Sequence, residues 1–197
     1  MHPYFRFNFD KAVQAIAVLM RSQALPKMNY MRLLKLLYLA ERKAIKESGR
    51  PIIGSPIVAM KRGPVVETVH KLILGQHFDS LRFSKFFERS HYDLVMTADP
   101  GMGRLSEFEI EKLQDVASEF ADCDEWDLVW ITHELPEWKK NDPGDSCRPI
   151  PLVDLLEALG MENADAILED ARNDYHAMRA LDEATRQVSS LNVARTD

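Results

Sequence analysis

Cysteine is nearly absent from this chain: there are two in 197 residues, Cys123 and Cys147. That number excludes a disulfide framework, and neither has a His or Cys partner at zinc-like or thioredoxin-like spacing, so both read as reduced thiols. Long apolar runs are missing as well, since no stretch approaches the roughly 20 residues that a membrane-crossing helix requires. The amino-terminal segment has one short apolar stretch, Ala15 to Met20, with no basic leader before it and no small-residue cleavage site after it. No export is expected, and the compartment expected is the cytoplasm. Glycine is sparse, at 8 residues, and forms neither a GxGxxG nor a GxxxxGK string, so no nucleotide cradle is expected. No serine lies in a nucleophile-elbow context, and no internal repeat or low-complexity segment stands out.

What is present is ordinary for a globular protein, with 46% hydrophobic and 28% charged residues. The length suits one domain with an extension rather than two full domains. The net charge of -6 conceals an asymmetry: residues 1–75 carry 13 Lys and Arg against 4 Asp and Glu, a net of +9, and residues 76–197 carry 12 against 27, a net of -15. Mutual neutralisation within one fold is the simpler reading. The sharper one is a basic face for an acidic partner and an acidic tail for a basic one.

Residues 8–23 place Phe9, Ala12, Val13, Ile16, Leu19 and Met20 at helical spacing with Asp10, Lys11, Gln14 and Arg21 opposite, which predicts an amphipathic helix. After Pro26, Asn29 is an N-cap for a second helix to Ser48, with Gly49 in the C-cap position. That helix has almost no polar face before Glu41, which predicts burial at the centre of the core. An extended connection, residues 50–55, leads to a strand over 57–61, and Pro64 suits the first position of a third helix that Gly75 stops. Residues 82–88 and 92–97 read as two strands across a turn at 89–91. Ser106 with Glu109 is a capping-box signature for a helix through Phe120. A shorter helix over 125–135 uses Trp126, Val129 and Trp130 as its apolar residues. The segment PEWKKNDPGDSCRPIP reads as irregular, and helices over 152–159 and 164–188 close the chain. The predicted architecture is α+β and mainly helical: a helical bundle around a buried central helix, with a small antiparallel sheet and a long C-terminal helix.

Little here points to catalysis. Glu67 with His70 and Glu88 with His91 are two Glu-x-x-His pairs, the unit of a di-iron carboxylate site, but the second pair falls at the predicted hairpin turn, where residues three apart share no face. No catalytic residue, cofactor or metal is therefore assigned. The cluster Lys35, Arg42, Lys43, Lys46, Arg50, Lys61 and Arg62 raises nucleic-acid binding, but the helix that carries most of it is predicted to be buried and the chain is acidic overall. Nucleic acid is not the expected direct partner, and no membrane is.

The order of landmarks in residues 35–73, KLLYLAERKAIKESGRPIIGSPIVAMKRGPVVETVHKLI, resembles the Panacea, or SocA-like, antitoxin domain, a family long described as phage-associated. Lys35-Leu36-Leu37-Tyr38, the Gly49-Arg50-Pro51 exit, Ala59 with Lys61, and Gly63-Pro64-Val65 follow the family's order, as do Leu105-Ser106, Thr132-His133 and Glu137-Trp138. The resemblance covers residues 8–160 as an antitoxin domain and leaves residues 161–197 as an acidic helical extension. It implies an antitoxin that neutralises a cognate protein toxin encoded nearby by direct binding, in some members by delivering it to an ATP-dependent protease, and no enzyme activity. The alternatives are a DNA-binding autoregulator of its own operon and a metal-dependent enzyme using the Glu-x-x-His pairs. Candidate partner contacts are Tyr38, Lys61, Arg62, Glu67, Trp138, Tyr175 and Met178, of which Tyr38 and Trp138 suit a core or half-buried place better than a contact surface. Gly49, Pro51, Gly63, Pro64 and His133 are landmarks with structural roles.

Overall fold

The first helix, α1 (Phe9–Ser22), starts where Asn8 accepts a hydrogen bond from the Lys11 N–H at 3.0 Å, satisfying one of the donors that a helix start leaves unpaired. Ala12, Ala15, Ile16, Leu19 and Met20 on it have no exposed surface. The computed structural model describes residues 5–24 and 26–193, and the side chains of all of these except 178–179 and 181–193. Helix α2 (Tyr30–Ser48) is capped by Asn29 and ends at Gly49 in left-handed backbone, φ 74°, a conformation that costs a residue with a Cβ roughly 1–2 kcal/mol. Leu33, Leu36, Leu37, Tyr38 and Ala40 are fully enclosed, so α2 is the buried centre around which α1 and α5 (Glu107–Glu119) pack. Helix α5 opens on the Ser106–Glu109 capping box.

Helix α2 also buries charge, and each buried group has an answer. Arg32 donates to the carbonyls of Phe120, Ala121 and Cys123, closing the carbonyl end of α5. Glu41 accepts the N–H groups of Ile52 and Ile53 at 3.0 and 2.8 Å, which folds the connection after α2 back along that helix. Lys35 donates to the Pro64 carbonyl at 2.7 Å.

Strand structure is divided between two small antiparallel sheets instead of one. Strands β2 (Ile57–Met60), β3 (Gly63–Val66) and β6 (Cys147–Pro149) take the order β3-β2-β6. Strands β1 (Lys27–Asn29), β4 (Phe87–Ser90) and β5 (Asp93–Met96) take the order β1-β5-β4. Several expectations are corrected here. Pro64 does not open a helix: it lies in β3 opposite Ala59, where an edge strand tolerates its missing N–H, and α3 (Glu67–Ile73) starts three residues later. Residues 82–86 are not strand, because Phe83 closes a short helix, α4 (Ser80–Phe83), and meets Phe87 at 5.1 Å. The hairpin turn falls on His91 and Tyr92, with His91 at φ 57°. The segment expected to be irregular contains α7 (Pro136–Lys140), with Pro136 at its start, and strand β6.

Helix α6 (Glu125–His133) is capped by Asp124 but buries Leu128, Val129 and Thr132, while Trp126 and Trp130 are 50% and 72% exposed. Helices α8 (Leu152–Ala158) and α9 (Ala164–Val193) finish the chain. The first turns of α9 join the core: Ile167 and Ala171 are buried, and Arg50 pairs with Asp170 and Asp174. No described helix is long and apolar enough to cross a membrane.

The charge asymmetry of the two halves becomes pairing in space. Lys11 meets Glu109, Arg21 meets Asp99, Lys27 meets Asp93, Lys43 meets Asp115, and Lys61 meets Asp145, each a cation from the first 75 residues on a carboxylate beyond them.

Candidate binding site

Landmarks about 100 positions apart converge at the junction of α2, the β2–β3 hairpin and α6–α7. On α2, Tyr38 donates its hydroxyl to Glu137 Oε1 at 2.5 Å, and Arg42 Nε donates to the same oxygen at 2.7 Å. Tyr38 and Glu137 are 0% and 1% exposed, so this is an interior polar knot, of the kind that specifies one arrangement of neighbouring elements. One turn earlier, Lys35 holds the Pro64 carbonyl. Gly63 stands at φ 94°, and a Cβ there would lie 2.7 Å from Thr132 Oγ1 and 2.8 Å from Lys35 Nζ. Glycine is therefore demanded twice, by backbone conformation and by space. Trp138 donates its indole N–H to the Met60 carbonyl at 3.2 Å, and its ring stacks on His133 at 4.0 Å. These contacts hold the hairpin on α6 and α7.

Beside this junction a cavity of about 480 Å³ opens between α2, the hairpin and the start of α6, with Lys35, Met60, Arg62, His70, Tyr92 and Trp126 among its walls. Lys35 is 1% exposed, and burial lowers its ammonium to about 7. Burial also lowers His70, with the Lys35 charge acting in the same direction. The Arg62 guanidinium lies over the Trp126 ring, 5.1 Å from its centre, a cation–π contact. Tyr30 and Tyr92 stack at 6.4 Å. Such a site can hold an anionic group against an apolar wall.

The candidate contacts do not all meet. Arg62 and Lys61 line this cavity, with Lys61 largely exposed and paired to Asp145 at 2.6 Å. Glu67 and the half-buried Tyr175 line a separate groove along the start of α1, and Glu67 is bonded to Lys71. Tyr38 is enclosed and offers no surface, so of its two readings the structure shows the core one, and Trp138 is half-buried beneath the hairpin. Met178 lies outside the residues whose side chains are described. Gly49 closes α2, Pro51 is half-buried on the exit that Glu41 holds, and His133 is the stacking partner of Trp138. Lys35, Tyr92, Trp126 and Trp130 were not among the candidates. The i, i+4 spacing of Trp126 and Trp130 on α6 is the one available signal, and apolar spacing of that kind fits a core face equally well. No described group of three or more His, Cys, Asp or Glu residues could hold a metal ion.

Fold and site define a mainly helical α+β protein whose landmarks Tyr38, Gly63 and Glu137 knit its interior. A family model described as antitoxin SocA-like, Panacea domain, matches residues 33–139, and the chain belongs to that family. No curated protein and no solved structure matches the chain.

Proposed function

We propose that this chain is the antitoxin of a toxin–antitoxin pair and neutralises a protein toxin, encoded beside it, by direct binding rather than by turnover. Membership of the SocA-like family over residues 33–139 carries the reading. The position of the landmarks supports it: Tyr38, Gly63, Thr132 and Glu137 are buried, so they maintain a scaffold while the surface is free to suit one toxin. Four of the seven basic residues that would grip phosphate, Arg42, Lys43, Arg50 and Lys61, are engaged by the chain's own carboxylates, which favours a protein partner over nucleic acid.

The test is growth of cells expressing the neighbouring reading frame, with and without this chain supplied in trans. Arrest by the neighbour alone and recovery with this chain is the expected result. Persistent arrest with the chain present and folded overturns the reading for that pair. Toxin level separates the two modes, since occlusion leaves the toxin abundant and delivery to an ATP-dependent protease depletes it.

A further inference from the structure

The cavity beside the hairpin has three properties that its fold role leaves unexplained. The first is exposed aromatic surface. Tyr92 and Trp126 stand at its mouth at 69% and 50% exposure, and Trp130, at 72%, lies one turn further on the same face of α6. Neither tryptophan is needed to cover the core, because α6 buries Leu128, Val129 and Thr132 for that purpose. Trp, Tyr and Arg are the residues that dominate protein–protein binding energy when they surround a pocket.

The second property is unneutralised positive charge. Most cations of the first half of the chain sit on carboxylates, but among the described residues none pairs with Lys35 or Arg62. Lys35 makes a single hydrogen bond, to the Pro64 carbonyl, although an ammonium has three donors. Glu125, the one carboxylate among the described residues of the cavity wall, is turned to Asn29, whose side-chain amide donates to it at 3.1 Å. The third property is preorganisation: Arg62 is already held over Trp126, and Lys35 is fixed in the wall by the contact that anchors the hairpin. A carboxylate placed beside Lys35 would restore a charge that burial disfavours, and once such an enclosed pair has formed, removing either partner leaves an uncompensated buried charge and is strongly unfavourable.

We propose that this cavity is the docking point for the toxin, taking an acidic side chain of that partner between Lys35 and Arg62 while Tyr92, Trp126 and Trp130 pack around it. The assignment rests on the antitoxin reading and names its contact surface. The larger groove at the start of α1 is not chosen, because charges of both signs line it, including Asp10, Glu67, Asp79 and Arg82, and they select no partner charge.

The experiment uses the full chain and the protein of the neighbouring reading frame, with affinity measured by calorimetry alongside growth rescue. Arg62→Glu and Trp126→Ala, both at exposed positions, and Lys35→Met are compared with Phe78→Ala, 87% exposed and remote from the cavity. The expected result is a rise in Kd of about tenfold or more and loss of rescue for the three cavity variants, with Phe78→Ala unchanged. If Lys35→Met fails to fold, the two rim variants decide. Replacing the toxin's exposed Asp and Glu residues one at a time by Asn or Gln should find one change that reproduces the loss and is not additive with Arg62→Glu. Wild-type rescue with Kd values within about twofold for every folded cavity variant overturns the docking site and leaves the antitoxin reading standing. No arrest by the neighbour, or no binding to the wild-type chain, overturns that reading for this pair and the docking assignment with it. N-acetylglutamate quenching the fluorescence of wild type but not of Arg62→Glu, with the protein complex unaffected by the same substitution, makes the cavity a small-anion site and overturns docking.

Discussion

Tyr38, Glu137 and Arg42 form a buried contact in which one carboxylate oxygen receives both donors. Tyr38→Phe removes the hydroxyl without changing the ring, and a hydrogen bond to a charged group is worth about 1.5–3 kcal/mol. Urea unfolding should show a loss of that size with an unchanged denaturant slope. Two other buried groups of α2 make stability depend on pH in opposite directions. Burial lowers Lys35 from 10.5 to about 7, so the folded state holds fewer protons between those values and stability rises with pH across them. Burial raises Glu41 from 4.5 to about 8, against the two N–H bonds from Ile52 and Ile53, so its contribution is complete below 4.5 and is lost as pH rises through 8. Unfolding free energy measured from pH 5 to 10 should lose its rise above pH 8 in Lys35→Met and its fall between pH 5 and 7 in Glu41→Gln, each up to about 1.4 kcal/mol per pH unit. The burial of the helix was legible in sequence, but not that Lys35 and Glu41, charges within its apolar run, would be enclosed with it. Long-range closure, by the hairpin on one side and the RPII connection on the other, decided their environment.

At the scale of elements, caps were legible and pairings were not. Asn29, Ser106 and Gly49 end or start helices where expected, because a cap is a contact over two to four residues. Strands β1 and β6 were missed because their partners, β5 and β2, lie about 65 and 90 residues away and three residues carry no period of their own. Helix α6 shows the reverse failure, in which helical spacing was read correctly and its face wrongly. Helix α9 divides at its second turn: Ile167 and Ala171 are buried, whereas Arg172, Asn173 and His176 are exposed. A chain ended after residue 176 should keep the wild-type thermal transition, and one ended after residue 163 should lose about 1.5–3 kcal/mol for Ile167 alone. Thermal unfolding followed by circular dichroism checks both, and toxin binding by the first chain tests the extension as a specificity element.

The molecule as a whole is larger than its family match. Residues 33–139 contain the hairpin, the polar knot and most of the cavity wall, but Asn29, Tyr30 and Met31 of that wall lie outside them, as do α1, which supplies Ile16, Leu19 and Met20 to the core, and α8, which supplies Leu155 and Leu156. A fragment of residues 33–139 should therefore lack a cooperative thermal transition, while a chain of residues 5–176 retains one, as differential scanning calorimetry would read; cooperative melting of the shorter fragment would confine the core to the shared region. The opposed charges of the two halves act at this scale too: each exposed pair contributes at most about 1 kcal/mol, and together they engage Arg42, Lys43, Arg50 and Lys61, four of the seven cations in the cluster that suggested a nucleic-acid surface.

By itself the sequence determined the helical class, the central place of α2, the capped helix boundaries and, through the order of its landmarks, the family. Each of these depends on neighbours along the chain: period, cap chemistry and the sequence of motifs. The tertiary structure alone decided that Tyr38 and Glu137 share a hydrogen bond, that Gly63 leaves room for Lys35 and Thr132, and that two tryptophans face outward beside an unneutralised lysine and arginine. Those outcomes depend on contacts between segments about 30 to 100 residues apart, where burial and charge pairing act across space and leave no periodic trace in the chain.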